Sequence, residues 1–269
     1  MQRSKRKSLG LLAVLAGGAA AAALLGGCFD VEQSVSLGRD LSGTASFRMT
    51  VDLEPMIVLM AGMQHAMSGK EGDPTPQEVA EARRSFLDKR KGEDPAKSKQ
   101  EVAEQKEKLA KTLPPGVKLL AGDVDEQGTR IVARFQFGFD DVRKLAQIKL
   151  PEKGGEGQPG KNPYEDPFST MKVVDEGSTL LVTIGGGNPA ARLQDQAAKG
   201  GGGPDASPEM AKAFESAFKN ARFAFRLDTP FEVVETNATR RDGRALVWEL
   251  RATDPPDKMP VTLTARFKK

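Results

Sequence analysis

The 269-residue sequence has few of the residues that build disulfides, metal sites and histidine-based active sites. It contains one Cys, one His, one Trp and one Tyr. A single cysteine excludes an internal disulfide, and one cysteine with one histidine is a poor start for a closed zinc site, which needs four ligands. We therefore predict no metal and no cofactor. The composition, 38% hydrophobic and 29% charged, is that of an ordinary globular domain.

Excess positive charge is also missing once the N-terminus is set aside. The whole chain has a formal charge of +3, but Arg3, Lys5, Arg6 and Lys7 stand together without an acidic residue. Without them, 36 basic residues face 37 acidic ones, and residues 28–269 carry a formal charge of −1. Nucleic-acid binding needs a basic surface to meet the phosphate backbone, so we exclude nucleic acid as a partner.

The N-terminal segment has the form of a secretory signal. The basic residues are followed by an uncharged stretch over 9–25, rich in Leu, Ala and Gly, and then by Leu25-Gly26-Gly27-Cys28. This motif resembles the bacterial lipobox, in which the signal peptidase recognises Leu25, Gly26 and Gly27 and cuts before the cysteine. We interpret residues 1–27 as a lipoprotein signal peptide. The alternative is a transmembrane anchor, for which 17 weakly apolar residues are short.

The lipobox resemblance implies that Cys28 carries a diacylglycerol and an acylated amine. Two or three acyl chains hold a protein stably to a bilayer, so a membrane is the first expected partner. Phe29 follows in place of the Asp that accompanies inner-membrane retention in many Gram-negative lipoproteins. We therefore expect a cell-envelope protein on the exported side of a bacterial membrane, with the outer membrane favoured in a Gram-negative host.

The mature chain, residues 28–269, is predicted to form one domain of antiparallel strands. Apolar residues alternate with polar ones in paired runs, and turn residues separate the members of each pair. The predicted hairpins cover 31–53, 117–139, 171–184 and 233–250, and two further strands cover 222–228 and 261–267. About ten strands with one buried side indicate an α+β fold built on a curved antiparallel sheet.

Helices are predicted between the hairpins. Residues 54–67 form a Met-rich apolar helix, 77–113 form a charged and protruding helical insertion broken near Asp94-Pro95, and shorter helices cover 140–148 and 208–221. The stretches 151–163 and 199–207 are predicted to be flexible loops, because their Gly-rich sequence has little apolar surface to bury.

Two interpretations of the Met-rich helix stay open. Methionine commonly fills irregular cores, but a flexible thioether surface also suits a cavity for ligands of varied shape. Trp248 has the same two interpretations, as sheet core or as a residue that stacks on a ligand. His65 lies beside no nucleophile motif, and no GxSxG sequence occurs, so we predict that the protein is not an enzyme.

Both ends of the mature chain contain a characteristic order of turn and core residues. Cys28 is followed at once by a hairpin with Asp40-Leu41-Ser42-Gly43, and the C-terminal part has Pro230, Asn237, Asp242-Gly243 and Trp248. This order resembles that of LppM-type bacterial lipoproteins, with Phe231 where that pattern usually has Gly. The resemblance implies a helix-grip fold, in which a curved sheet wraps a helix around an apolar cavity, and it implies lipid binding.

These observations predict a membrane-anchored, non-enzymatic envelope lipoprotein that binds a lipid or another apolar ligand. The alternative is an envelope scaffold or assembly partner that binds another protein through the charged helices 77–113. No catalytic residue is assigned. The candidate residues of an apolar ligand site are Met56, Met60, Met63, Phe223, Phe225 and Trp248.

Overall fold

The computed structural model describes residues 28–91, 95–148, 168, 170–185, 221–251, 253–255, 260 and 262–269. The predicted signal peptide, the loops 151–163 and 199–207, and residues 208–220 of the predicted helix 208–221 lie outside these residues. The described strands are β1 (Cys28–Leu37), β2 (Gly43–Asp52), β3 (Val117–Gln127), β4 (Arg130–Phe139), β5 (Met171–Asp175), β6 (Thr179–Ile184), β7 (Arg222–Asp228), β8 (Glu232–Thr236), β9 (Arg240–Asp242), β10 (Ala245–Arg251) and β11 (Leu263–Lys268). The helices are α1 (Glu54–Met67), α2 (Pro76–Lys91), α3 (Pro95–Thr112) and a 3₁₀ helix (Val142–Gln147).

The described strands form two sheets, and with the helices they confirm the predicted α+β class. The larger sheet has seven strands in the order β3-β4-β2-β1-β7-β10-β9, and the smaller has four in the order β5-β6-β11-β8. The central pair β1 and β7 runs parallel, whereas the other pairings are antiparallel. That parallel pair joins the N-terminal hairpin to the C-terminal strands, which sequence periodicity alone does not predict.

Three of the four predicted hairpins are confirmed, and the fourth is partly wrong. The pairs β1–β2, β3–β4 and β5–β6 have the predicted partners. In the predicted hairpin 233–250, however, β8 lies in the smaller sheet and pairs with β11, while the short β9 pairs with β10. The edge of β10 that β8 was predicted to occupy is taken by β9, and the other edge is paired with β7.

The turn between β1 and β2 shows why the sequence needs glycine at its end. A Cβ added to Gly43 would lie 1.9 Å from the Ser36 carbonyl oxygen, so a side chain does not fit at this position. Asp40 supports the turn by accepting hydrogen bonds from the Ser42 amide and hydroxyl, at 3.1 and 2.7 Å. This local chemistry fixes the register of the hairpin that begins at Cys28.

Two groups of buried apolar side chains lie on the inner face of the seven-stranded sheet. The main core contains Val35, Phe225 and Trp248 of this sheet together with Leu180 and Phe267 of the four-stranded sheet. The second cluster lies nearer the Cys28 end of β1. It contains Val31, Met49, Val51, Leu53, Met56, Ile131 and Ala221. The inner face is thus covered by the smaller sheet over one part and by α1 over another.

The helices have the predicted positions but are attached more firmly than their composition suggests. α1 has the predicted bounds, α2 ends at Lys91, and α3 begins at Pro95, the position of the predicted break. Ala82 of α2 packs with Ile57 and Ala61 of α1, and Leu109 of α3 is buried in the main core. Most other described side chains of α2 and α3 are exposed, as predicted. No helix in the described part of the chain has the length and apolarity needed to cross a membrane.

Candidate functional site

Gln33 interrupts an otherwise apolar row on the inner face of the seven-stranded sheet. Side chains alternate between the two faces of a strand, so Val31, Gln33, Val35 and Leu37 share the inner face of β1. Directly across the sheet, Gln33 pairs with Phe47 of β2 and Phe225 of β7. An amide therefore lies in the centre of the sheet between two aromatic residues.

The Gln33 carboxamide is buried, and its oxygen has no partner among the described residues. The residue is 5% exposed, and its Oε1 accepts no hydrogen bond from that part of the chain. A buried polar atom without a partner costs about 1–3 kcal/mol, and such atoms are rare in native proteins. An unpaired acceptor at this position is typical of a place that a ligand or an ordered water completes.

A boundary between the two groups of buried side chains crosses the inner face from β7 to β3. We call it the seam and define it by Gln33, Phe47, Val124 and Phe223. Phe47, Val124 and Phe223 each pack against both the main core and the second cluster. All three remain only partly buried, although they point to the inner face. Phe47 and Phe223 therefore leave apolar surface incompletely covered next to Gln33, and Val124 does so three strands away on β3.

The structure places the six predicted ligand-site residues in four different surroundings. Phe225 and Trp248 are buried in the main core, Met56 is buried in the second cluster, and Phe223 lies on the seam. Met60 and Met63 are 37% and 48% exposed on the outside of α1. The structure therefore brings Phe223 and Phe225 near Gln33 but does not bring all six together.

Trp248 links the two sheets and lies in the same row as Gln33. It pairs with Phe225 across the sheet, and the centroids of the two rings are 5.8 Å apart. Its indole Nε1 donates a hydrogen bond of 2.8 Å to Asn237 Oδ1. The same oxygen accepts from the Thr264 amide at 2.8 Å, and Asn237 Nδ2 donates to the Thr262 carbonyl at 2.7 Å. The role of Trp248 as sheet core is thus supported by its burial.

Sequence reasoning missed Gln33, although a signal was present. The strand pattern rests on Val31, Val35 and Leu37, and Gln33 occupies the one position of that inner row where a polar residue breaks the alternation. A polar residue at a core position is the sequence counterpart of an unsatisfied buried group. Its importance emerges only when the pairing places it between Phe47 and Phe225.

His65 joins α1 to the start of α2. Its Nδ1 lies 2.8 Å from Glu78 Oε2, and its Nε2 lies 3.3 Å from the Glu71 carbonyl oxygen. In a hydrolytic triad the second ring nitrogen would face the hydroxyl or thiol of a nucleophile. Here it faces a backbone acceptor, and this arrangement holds two helices together.

Glu78 collects several donors at this junction. Lys70 Nζ donates to Oε1 at 2.8 Å, while the Thr75 amide and hydroxyl donate to Oε2 at 2.8 and 3.0 Å. The hydrogen bonds from Lys70 and from the Thr75 backbone, with His65, lower the pKa of Glu78 to about 2. The charged carboxylate is therefore the form that the folded protein favours.

We expect Glu78→Gln to destabilise the protein at neutral pH but not near pH 2. The folded pKa lies below the ordinary value of 4.5, so the stabilisation is complete above pH 4.5 and is lost as the pH falls towards 2. Urea midpoints of both proteins between pH 7 and pH 2 measure this convergence. The exposed Glu81→Gln serves as control. A difference that does not change with pH would contradict the role of the ionised carboxylate.

Charged side chains on the outer face of the seven-stranded sheet are paired with one another. Arg222 Nη1 lies 3.0 Å from Asp30 Oδ1 and 2.9 Å from Glu32 Oε1, and its Nε lies 3.3 Å from Glu249 Oε1. The hydrogen bond with Glu32, more than any other interaction, raises the pKa of Arg222. Because its partners are carboxylates of the same chain, this guanidinium is occupied by the sheet itself.

Cys28 begins β1 at one end of the seven-stranded sheet. It pairs in register with Asp52, the last residue of β2, and α1 begins two residues later at Glu54. In the described residues, no three His, Cys, Asp or Glu side chains are grouped as metal ligands would be. The predicted lipidation residue thus lies beside the start of α1, and the predicted recognition residues Leu25, Gly26 and Gly27 lie outside the described part.

Comparisons with known proteins give one solved structure to report. No protein-family model matches the chain, and no curated protein does. The chain is similar to the folded domain of the Mycobacterium tuberculosis LppM protein, solved by NMR, with 11% sequence identity and a TM-score of 0.35 over 90% of this chain and 91% of that one. A likeness at this TM-score does not establish a shared fold. It carries no argument about function, which has to come from the residues of the site.

Proposed function

We propose that this chain is a membrane-anchored envelope lipoprotein, held by acyl chains on Cys28, and that it binds a lipid or another amphipathic ligand at the seam. The lipobox-like sequence Leu25-Gly26-Gly27 before Cys28 supports the anchor. We propose binding rather than catalysis because both ring nitrogens of the one histidine face structural partners, Glu78 of α2 and the Glu71 carbonyl oxygen of the segment between the helices.

The unpaired Gln33 oxygen is the observation that carries the binding proposal. A fully apolar core would fold more easily with Leu or Val at this position, because a buried amide oxygen without a donor is destabilising. Ligand sites differ from cores in having a few polar groups on an apolar lining. Gln33 beside Phe47 and Phe223 has this composition.

The same geometry defines the class of ligand. The Gln33 oxygen is a hydrogen-bond acceptor, so its ligand needs a donor, such as the hydroxyl or amide of a lipid. The partly buried Phe47, Val124 and Phe223 would be covered by an apolar chain along the seam. The ligand would therefore be amphipathic, with its polar group at Gln33 and its apolar part along the seam. A purely charged ligand would lose its hydration there without a countercharge on the inner row.

Ligand binding can be tested with the only tryptophan of the chain as reporter. We expect native mass spectrometry of the mature chain, made with Cys28→Ser, to show a co-purifying lipid that solvent extraction releases. Brominated fatty acids added to the delipidated protein should quench Trp248, which lies in the inner row with Gln33. Unbrominated fatty acid of equal length is the control.

Two results would contradict this function. A clean apo mass, together with Trp248 emission that brominated and unbrominated lipids leave equal, would mean that the inner row takes no ligand. The alternative function, a scaffold that binds another protein through residues 77–113, would then be favoured. Substitution of exposed charged residues of that segment, such as Glu104→Ala with Lys108→Ala, should in that case remove a protein partner from pull-downs while circular dichroism still shows a folded domain.

A further inference from the structure

One face of α1 is apolar and exposed. Met60, Met63 and Met67 follow Met56 at intervals of four, three and four residues, so they lie along one side of the helix. Their exposed fractions are 37%, 48% and 86%, whereas Met56 is 5% exposed. We call Met60, Met63 and Met67 the methionine stripe. It begins at the body of the protein and becomes more exposed along the helix.

The methionine stripe is free of charged side chains and is not the surface by which α1 attaches to α2. The helix contains one acidic residue, Glu54, which pairs with Arg83 of α2, and no Lys or Arg. The side that contacts α2 carries Ile57 and Ala61 against Ala82. A helix that is apolar on the packed side and also on the exposed side has a second apolar surface to cover.

The position of Cys28 indicates which surface covers the methionine stripe. Cys28 pairs with Asp52, and Asp52 Oδ1 accepts a hydrogen bond of 2.9 Å from the Glu54 amide at the start of α1. Cys28, which is proposed to carry the acyl chains, thus pairs with a residue that is hydrogen-bonded to the start of α1, the helix that carries the stripe. A helix of 14 residues is about 21 Å long, so the whole methionine stripe lies within about that distance of the start of α1 beside Cys28.

We propose that the methionine stripe docks into the surface of the lipid bilayer that holds the acylated Cys28. This inference rests on the proposed lipidation of Cys28 and adds an orientation to it: α1 lies in the membrane interface, and the domain is not a freely tumbling body on a tether. Flexible thioether side chains suit contact with disordered acyl chains, and an amphipathic helix binds an interface through its buried apolar area. The anchor keeps the stripe at high local concentration near the lipids.

The depth of single positions in a membrane tests this orientation. The full-length chain is produced in a bacterial host, purified as the lipidated protein and reconstituted in phosphatidylethanolamine–phosphatidylglycerol vesicles. A cysteine at Met63→Cys carries an environment-sensitive NBD dye. Acylated Cys28 has no thiol to label. The matched control is Val234→Cys on β8, since Val234 is also apolar and is 56% exposed on the four-stranded sheet.

We expect the dye at position 63 to emit at shorter wavelength in vesicles than in detergent-free buffer, and to be quenched several-fold more by nitroxide-labelled lipid than the dye at position 234. Equal quenching at both positions would overturn the docking. So would a short-wavelength emission at 63 without lipid quenching, which would show that protein and not lipid covers the stripe. A disulfide dimer through position 63 would show a second copy there and would also overturn it.

Flotation of the vesicles separates this inference from the proposed anchor. If the chain floats, Cys28→Ser does not, and the dye at position 63 is unquenched, then the anchor holds and the docking is wrong. If the chain itself carries no acyl group and does not float, the anchor fails and the docking fails with it. Quenching at 63 together with Cys28-dependent flotation supports both.

Discussion

Trp248→Ala is expected to lower the free energy of unfolding by about 3–5 kcal/mol, as removal of a large buried aromatic side chain does. Trp248 is 1% exposed and contacts Phe225 in the main core. Its indole also donates to Asn237, whose side chain holds the segment leading into β11. The substitution therefore removes packing within one sheet and a hydrogen bond that ties it to the other.

The measurement is urea unfolding followed by far-ultraviolet circular dichroism, because the variant has no tryptophan left to fluoresce. Trp248→Phe is the matched control, since it keeps an aromatic ring and loses the N–H group. It should cost about 1 kcal/mol for the lost hydrogen bond, together with a smaller packing term. An unfolding midpoint for Trp248→Ala equal to that of the parent would contradict the role of Trp248 as the link between the sheets.

Local patterns in the sequence predicted most of the elements. The alternation of apolar and polar residues located the strands of three hairpins, and the apolar run after Asp52 located α1 from Glu54 to Met67. These features depend on neighbouring residues and on turn chemistry such as that of Asp40 and Gly43. Their physics is therefore contained in short stretches of sequence.

The sequence could not predict which strands meet across the fold. The parallel pairing of β1 with β7 joins residues about 190 positions apart, as the bond between Arg222 and Glu32 shows. Pairing of β8 with β11 instead of β10 depends on which edges are already taken. Such choices follow from the packing of the whole domain, and no local propensity encodes them.

The candidate site was less predictable than the fold for the same reason. Aromatic and methionine residues were selected by type, yet Met60 and Met63 lie on an exposed helix face while Phe225 and Trp248 lie in the main core. Residue type cannot distinguish a core from a ligand site, because both are apolar. The distinguishing residue is Gln33, whose unpaired oxygen becomes visible only when its neighbours across the sheet are known.

Gln33→Leu is expected to raise the free energy of unfolding by about 1–3 kcal/mol, the amount that a buried polar atom without a partner costs. Leucine is of similar size and fits between Phe47 and Phe225 without an unsatisfied oxygen. If replacing a residue stabilises the protein, that residue is retained for a reason other than stability. Functional sites are where a residue and the fold around it conflict in this way. The same variant should therefore lose most of its bound amphipathic lipid.

The two readouts have to be measured together, in the mature chain carrying Cys28→Ser, by urea unfolding and by lipid extraction. Gln136→Leu is the matched control, because Gln136 is an exposed glutamine on the outer face of β4 and its replacement should change stability by less than about 0.5 kcal/mol. Higher stability with unchanged lipid binding would make Gln33 a tolerated defect of the core. Lower stability would show that the Gln33 carboxamide already has hydrogen-bond partners in the folded protein, so that the seam offers no free acceptor to a ligand. Higher stability with lost binding is the combination that a ligand acceptor at Gln33 requires, because the oxygen that destabilises the empty protein is the one that the ligand would satisfy.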